Sequence, residues 1–341
     1  GRRTSARSPP LRRCGVPDGL ARRRRSAQHR RMSWRVILAY VCLYLVWGST
    51  YLAMKIAVVT VPPFFAASMR FALSGALLFA VGRLTSRVAL TRAHVVTGMA
   101  QGFLLLVVGN ASVMWAMKTV PSGVGALIIA VTPVFMALLS GDRRRGTWLG
   151  IAAGMVGIGI LVDPISAATT RAIPLVGAVI LVVAAFSWAA GSLLPRVRPI
   201  HPDNATSTGI QMLTGASVQL AISLAIDETP SWAATSSSSA WAVLYLSICG
   251  SLVGFTCYGW LLKVEPPSRV STYAYVNPVV AVLLGAGIGG EPLTPRVAVA
   301  TAVIVGAVVL ILRQQRATTK PATTPAPAAA PSSLADETQK P

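Results

Sequence analysis

Apolar runs of membrane-spanning length fill this sequence, and short polar clusters separate them. A spanning helix needs roughly 20 mostly apolar residues. Ten runs reach or approach that length: residues 36–56, 63–82, 94–116, 122–140, 147–163, 174–194, 206–226, 240–262, 269–289 and 296–312. The run at 147–163 is short and glycine-rich. The run at 206–226 is the most polar, with Gln211, Thr214, Ser217, Gln219 and Ser223. The pattern predicts an all-α integral membrane protein with ten transmembrane helices.

Two of the runs resemble each other. Trp115, Lys118, Pro121 and Pro133 recur as Trp260, Lys263, Pro266 and Pro278, each 145 residues later. Between 115–139 and 260–284, eight of 25 positions are identical in one ungapped register. Valine and leucine matches are cheap in so apolar a chain; a tryptophan, a lysine and two prolines in register are not. This indicates an internal duplication. Each half then holds five helices. Five is odd, so the second half enters from the opposite side, giving two inverted five-helix repeats. The first would span 34–163 and the second 174–313, with Asp163, Pro164 and the residues to about 173 as the joint. Such repeats place a substrate near the bilayer midplane, between the halves.

Composition agrees with a membrane protein: 53% of residues are hydrophobic and 12% charged. The net charge of +21 does not point to nucleic acid. Twelve of the 31 basic residues lie in residues 2–35, and most others flank the helices, where they orient a membrane protein. With the N-terminus cytoplasmic, the inner side carries fourteen further basic residues, among them Arg83, Arg87, Arg92, Arg143, Arg144 and Arg145. The outer side carries four: Lys55, Lys118, Arg171 and Arg296. Both termini are therefore expected inside, in a bacterial inner (cell) membrane. Residues 1–31 show no apolar period. They read as a disordered basic tail, or as sequence upstream of a start at Met32. Residues 314–341 form a Pro/Ala/Thr-rich tail of the same kind.

Little in the chain suggests catalysis. Cys14, Cys42, Cys249 and Cys257 lack metal-ligand spacing and read as packing residues. There is no HExxH, no CxxC and no GxxxxGK[ST] loop, so no cofactor, metal or nucleotide is expected. An intramembrane enzyme would need a nucleophile and base within reach, and the sequence offers no such pair. A channel or a non-transporting membrane protein would share the topology and stays open. His29, His94 and His201 lie at or outside run ends, and no run has a central Asp or Glu, so the sequence shows no proton relay.

The stretch Arg269–Glu291 carries the densest candidate chemistry. Tyr273, Tyr275 and Asn277 stand just before Pro278. A proline inside a helix removes one backbone bond and crowds the carbonyl four residues back, here that of Ala274. Within lipid, that carbonyl needs another partner. The reading is a broken helix with polar groups at the break, a common setting for a transport site. Pro133 does the same to the carbonyl of Ile129, so Pro133 and Pro278 are the expected flexion points. Tyr273 and Asn277, four apart, share a helix face. Trp47 and Tyr51 do too, and could form an aromatic wall. Arg70 is the one charge well inside any run. A central arginine costs about 2.5–3.5 kcal/mol on insertion scales; it serves either to hold backbone carbonyls or to meet an anionic substrate. Lys55 is a weaker candidate for the second role, with snorkelling to the interface as its alternative.

The strings WGSTYLAMK, PPFFAASMRF and STYAYVNPVVAVLLGAGIGGEPLT, within a five-plus-five repeat, resemble the EamA family of the drug/metabolite transporter superfamily, in its YedA-like bacterial inner-membrane branch. The resemblance covers about residues 34–313. It implies a permease for small metabolites, often an exporter of amino acids or their relatives, with a central cavity between the repeats. The family pattern falls on Trp47, Tyr51, Lys55, Arg70, Pro133, Tyr273, Asn277, Pro278 and Glu291. One departure is that the first hairpin reads SGDRRRGTW, with no counterpart of Glu291. Glu291 is therefore read mainly as a residue leading into helix 10. The expected partners are a small-molecule substrate and the lipid bilayer, and no nucleic acid. The paired glycines Gly150 and Gly154 suit either a homodimer or internal packing.

Overall fold

The computed structural model describes residues 33–141, 145–162, 174–228, 230–265, 270 and 272–318. The expected N-terminal tail, residues 319–341 of the expected C-terminal tail, the joint at 163–173, Arg143, Arg144, Arg171, Pro266 and Arg269 lie outside the described residues; residues 314–318, read as tail, instead continue the last helix. The described chain is helical throughout, and its helices follow the apolar runs: α1 (Trp34–Ala57), α2 (Pro63–Thr85), α3 (Arg92–Ala116), α4 (Ser122–Leu139), α5 (Arg145–Val162), α6 (Leu175–Leu193), α7 (Asn204–Ala225), α8 (Ser237–Tyr245, continuing through Leu246–Val253 and Gly254–Val264), α9 (Tyr273–Gly287) and α10 (Pro295–Thr318).

Six of these, α1, α2, α3, α4, α6 and α8, are long and apolar enough to cross a membrane. Shorter apolar stretches occupy Trp148–Ile160, Tyr273–Gly287 and Pro295–Leu310. The 22-residue α7 owes its polarity to side chains that turn inward: Gln211, Gln219 and Ser223 are all buried. Large apolar side chains face outward instead, including Leu45, Leu73, Leu77, Val156, Val179, Val183 and Leu283. That inversion suits lipid, where polar groups must find partners within the protein.

Local sequence sets the helix starts. Pro63 opens α2, where a missing N–H costs nothing. Thr91 caps α3, its hydroxyl accepting from the His94 amide at 3.2 Å, and Asp203 caps α7 through the Thr206 amide at 2.7 Å. The tightest seam joins α2 to α7. A Cβ at Gly209 would lie 2.6 Å from the Phe79 backbone nitrogen, so only glycine allows the two backbones this approach. In α5 the open side of Gly154 faces Val134 and Ala307 at 3.5 and 3.9 Å, whereas that of Gly159 meets nothing within 4 Å among the described residues.

Two features depart from the sequence reading. First, α9 runs unbroken through Pro278 from Tyr273 to Gly287. The expected interruption at that proline is absent: Pro278 removes one backbone bond, that to the Ala274 carbonyl, and the helix continues past it to Gly287. By contrast α4 does break, into Ser122–Ile129 and Thr132–Leu139. Second, π-helical stretches interrupt α3 at Phe103–Ala111 and α8 at Leu246–Val253. Wider turns loosen the usual ladder, and neighbouring side chains meet carbonyls in both stretches. Ser187 donates to the Leu104 carbonyl at 2.8 Å and Gln219 to Leu106 at 2.7 Å. In α8, Ser74 donates to Ser247 at 2.7 Å and Trp47 Nε1 to Gly250 at 3.1 Å.

Candidate functional site

A cavity of about 180 Å³ lies among α1, α2, α3, α4, α6, α8 and α9. Trp47, Tyr51, Arg70, Pro133, Tyr273, Asn277 and Pro278 all line it. One wall is aromatic. Trp47 meets Phe255, Tyr258 and Tyr273 with ring centroids 5.4, 5.3 and 5.1 Å away, and its bond to the Gly250 carbonyl fixes the indole. Trp188, Met54 and Met136 complete an otherwise apolar lining.

Arg70 is 3% exposed. Its Nε donates to Ser251 Oγ at 2.8 Å and its Nη1 to Asn110 Oδ1 at 3.3 Å. Both acceptors belong to the π-helical stretches, one in each half of the chain. Gly250 leaves room for the guanidinium, since a Cβ there would lie 3.2 Å from Nη2. Among the described residues no carboxylate stands within ion-pair distance of Arg70. A buried cation held only by neutral oxygens leaves its charge uncompensated and favours an anion beside it.

The two proline sites differ chemically. In α4, Thr132 Oγ1 donates to the Ile129 carbonyl at 2.6 Å, satisfying the group that Pro133 leaves free. In α9 the corresponding residue is Asn277, 145 positions on. Among the described residues no side chain meets the Ala274 carbonyl. Asn277 is 7% exposed, and its Oδ1 has no hydrogen-bond partner. The α9 side therefore leaves a buried amide oxygen unpartnered beside the cavity among the described residues.

Lys55 is not part of this lining. It pairs with Glu291 at 3.0 Å. Glu291 also takes the Ser122 amide at 2.6 Å and the Gly123 amide at 3.1 Å. Rather than leading into its own helix, it caps the start of α4. Burial pushes its carboxyl upward, but the Ser122 and Gly123 amides and Lys55 outweigh that and hold it below the ordinary carboxylate range.

Comparison with known proteins places this geometry. The EamA-like transporter family pattern matches residues 34–162 and again 175–313. The chain belongs to the EamA-like transporter family. Over 278 residues, 80% of this chain and 89% of the relative, it is 37% identical to the "uncharacterized inner membrane transporter YedA" of Escherichia coli K12. It is 24% identical over 266 residues to a "probable amino-acid metabolite efflux pump" of the same organism, covering 73% of this chain and 85% of that one. A crystal structure with 20% identity superposes with a TM-score of 0.56, over 82% of this chain and 98% of the other, and shares the fold.

In this EamA-like transporter several lining residues escaped the sequence reading. Asn110, Trp188 and Phe255 were not among the candidates. The 145-residue shift could have found more. It pairs Asn110 with Phe255, Ile129 with Ala274, Thr132 with Asn277 and Pro133 with Pro278, and all eight line the cavity.

Proposed function

We propose that this chain is a secondary transporter of ten transmembrane helices in two inverted five-helix repeats, spanning 34–163 and 174–313 with both termini cytoplasmic. It moves a small carboxylate-bearing, amino acid-like metabolite outward across a bacterial inner membrane by alternating access. The observation that carries this reading is the cavity itself. Four pairs of residues related by one sequence shift line it, as expected of a site between two repeats. The double family match supports the same division. So do the paired π-helical stretches in α3 and α8.

The polar groups suggest the substrate class. Arg70 offers a charge with no carboxylate partner, and Asn277 offers an unpaired amide oxygen across the cavity. An amino acid would satisfy the first with its carboxylate and the second with its ammonium. Trp47, Tyr51 and Tyr273 would pack its apolar part. Pro133 and Pro278 would serve as flexion points of the matched helices. In its name, the efflux-pump relative carries an amino-acid assignment of the same kind.

The test is binding followed by counterflow. Purified protein is heated with a panel of amino acids, other carboxylates and uncharged metabolites. A ligand at 100 times its Kd adds about 2.7 kcal/mol of stability. Hits confined to carboxylate-bearing compounds, with saturable counterflow in proteoliposomes, support the proposal. Flux that does not saturate would make the protein a channel and sink the alternating-access reading.

A further inference from the structure

Just beyond the cavity at one end, the structure holds a polar cluster that the transport reading does not use. Met54 and Ala126 line the cavity. Lys55 follows Met54, and Ser122 lies one turn before Ala126. Between them sits the Glu291 carboxylate, its side chain 10% exposed. It joins three elements at once: Lys55 at the end of α1, the first turn of α4, and its own loop between α9 and α10. We propose that Glu291, Lys55 and the first turn of α4 form a latch that shuts this end of the cavity, and that the latch must part for substrate to pass here.

The loop is built to deliver the carboxylate. Gly290 takes φ +63, a left-handed conformation natural to glycine. The Glu291 amide then bonds back to the Gly285 carbonyl at 2.9 Å. A Cβ at Gly285 would stand 2.5 Å from Glu291 Oε2 and 3.0 Å from Ser122 Oγ. Glycine there therefore makes the space in which carboxylate and helix start meet. The buried Ser122 hydroxyl has no partner of its own among the described residues. A helix N-terminus stabilises an anion, and a lysine beside it adds a second positive group. One side chain thus fastens the second half of the chain to two helices of the first.

Further bonds fasten the same end. The Ser236 amide donates to Thr60 Oγ1 at 3.1 Å, and Ser239 Oγ donates to the Ile56 carbonyl at 2.8 Å. The Phe64 amide at the start of α2 donates to Glu228 Oε2 at 3.0 Å. These bonds join neutral groups, or a neutral group and a single carboxylate. Glu291 also carries an ion pair across the halves. The first hairpin, SGDRRRGTW, has no glutamate at the matching place, so the latch biases the transporter toward closure at one end.

This inference rests on the alternating-access reading, and the experiment separates the two. A reporter, Ala126→Cys, is placed in a chain whose four native cysteines are replaced by serine. Its labelling by a membrane-impermeant maleimide is timed from each membrane face. With the latch intact, labelling from the Lys55 face should be slow. Glu291→Gln should speed it about tenfold or more, and Lys55→Gln severalfold, with no comparable change from the other face. Unchanged rates in both folded variants overturn the latch even if counterflow proceeds. If Glu291→Gln does not fold, Lys55→Gln decides by the same criterion, because its half-exposed amine is the less structural partner. Loss of counterflow in the unsubstituted protein would instead strike the transport reading.

Discussion

Arg70→Met separates a substrate-binding arginine from a scaffolding one. Methionine keeps an unbranched apolar stem but removes the charge and the guanidinium contact with Phe71, whose ring centroid lies 4.9 Å from the guanidinium carbon. The substitution strands two oxygens, Ser251 Oγ and Asn110 Oδ1, at about 1–3 kcal/mol each if neither finds another partner. Asn110 lines the cavity and can turn toward water, so the lower end applies there, while Ser251 is fully buried. Against that loss stands the relief of burying an unpaired cation, about 2.5–3.5 kcal/mol on insertion scales. The terms nearly cancel, and the net change should stay within about 2 kcal/mol. At about 2–4 °C per kcal/mol for a chain of this size, the Tm should move by a few degrees. Binding should change far more. A desolvated charge-assisted contact is worth about 2–5 kcal/mol, so affinity for carboxylate ligands should fall at least about thirtyfold.

The assay is differential scanning fluorimetry in detergent, with and without ligand, alongside counterflow in proteoliposomes. A folded Arg70→Met protein that still binds carboxylates with unchanged affinity refutes the reasoning. So does a loss of more than about 4 kcal/mol, which would mean that Arg70 holds the two π-helical stretches together. Arg70→Lys offers a further check. It retains the charge but cannot span both acceptors with a planar fork, so affinity should fall to an intermediate value.

Three shorter predictions follow from other contacts. Thr132→Val removes the hydroxyl that meets the Ile129 carbonyl and should destabilise the fold by about 0.6–1.7 kcal/mol, read as a lowered Tm with ligand affinity retained. Gly209→Leu forces a side chain into the Phe79 backbone and should cost about 3 kcal/mol or more, seen as loss of the monodisperse peak on size exclusion. For Glu291, the folded state holds the carboxyl below its ordinary value. Its contribution is therefore complete above the ordinary carboxylate range and disappears as pH falls through the lowered value; the Tm gap between wild type and Glu291→Gln should be constant near neutrality and close in strong acid.

The sequence alone located most of the cavity because membrane proteins expose their exceptions. An arginine in an apolar run, an asparagine before a proline and a tryptophan in mid-helix each need a reason, and each of Arg70, Asn277 and Trp47 reaches the cavity. Lys55 misled because a lysine near a helix end looks alike whether it faces substrate, lipid headgroups or a distant glutamate. Its partner lies 236 residues away, and nothing local marks the pairing. The π-helical stretches were illegible for a different reason. They arise where Ser74, Trp47, Ser187 and Gln219 reach across to carbonyls in another helix, and no propensity within FLLLVVGNA or LSICGSLV announces that. Pro278 was overread: a proline removes a single bond, here to the Ala274 carbonyl, and α9 continues past it to Gly287.

The same comparison explains how two similar halves could make one directed site. At matched positions, Thr132 consumes the carbonyl that its proline frees, whereas Asn277 leaves both its own oxygen and the Ala274 carbonyl without a side-chain partner. Asn110 supports Arg70 from the first half, while its counterpart Phe255 joins the aromatic wall. Glu291 fastens the start of α4, and the first hairpin has no equivalent glutamate. On the proposed repeat reading, duplication would supply helices that exchange roles about a shared cavity, and divergence at these three pairs would supply polarity. A perfectly symmetric pair would bind a substrate equally well in two opposed orientations. Here the cation sits against the π-helical stretches and the unpartnered amide lies on α9, so under the proposed function a zwitterion would have one favoured way to lie.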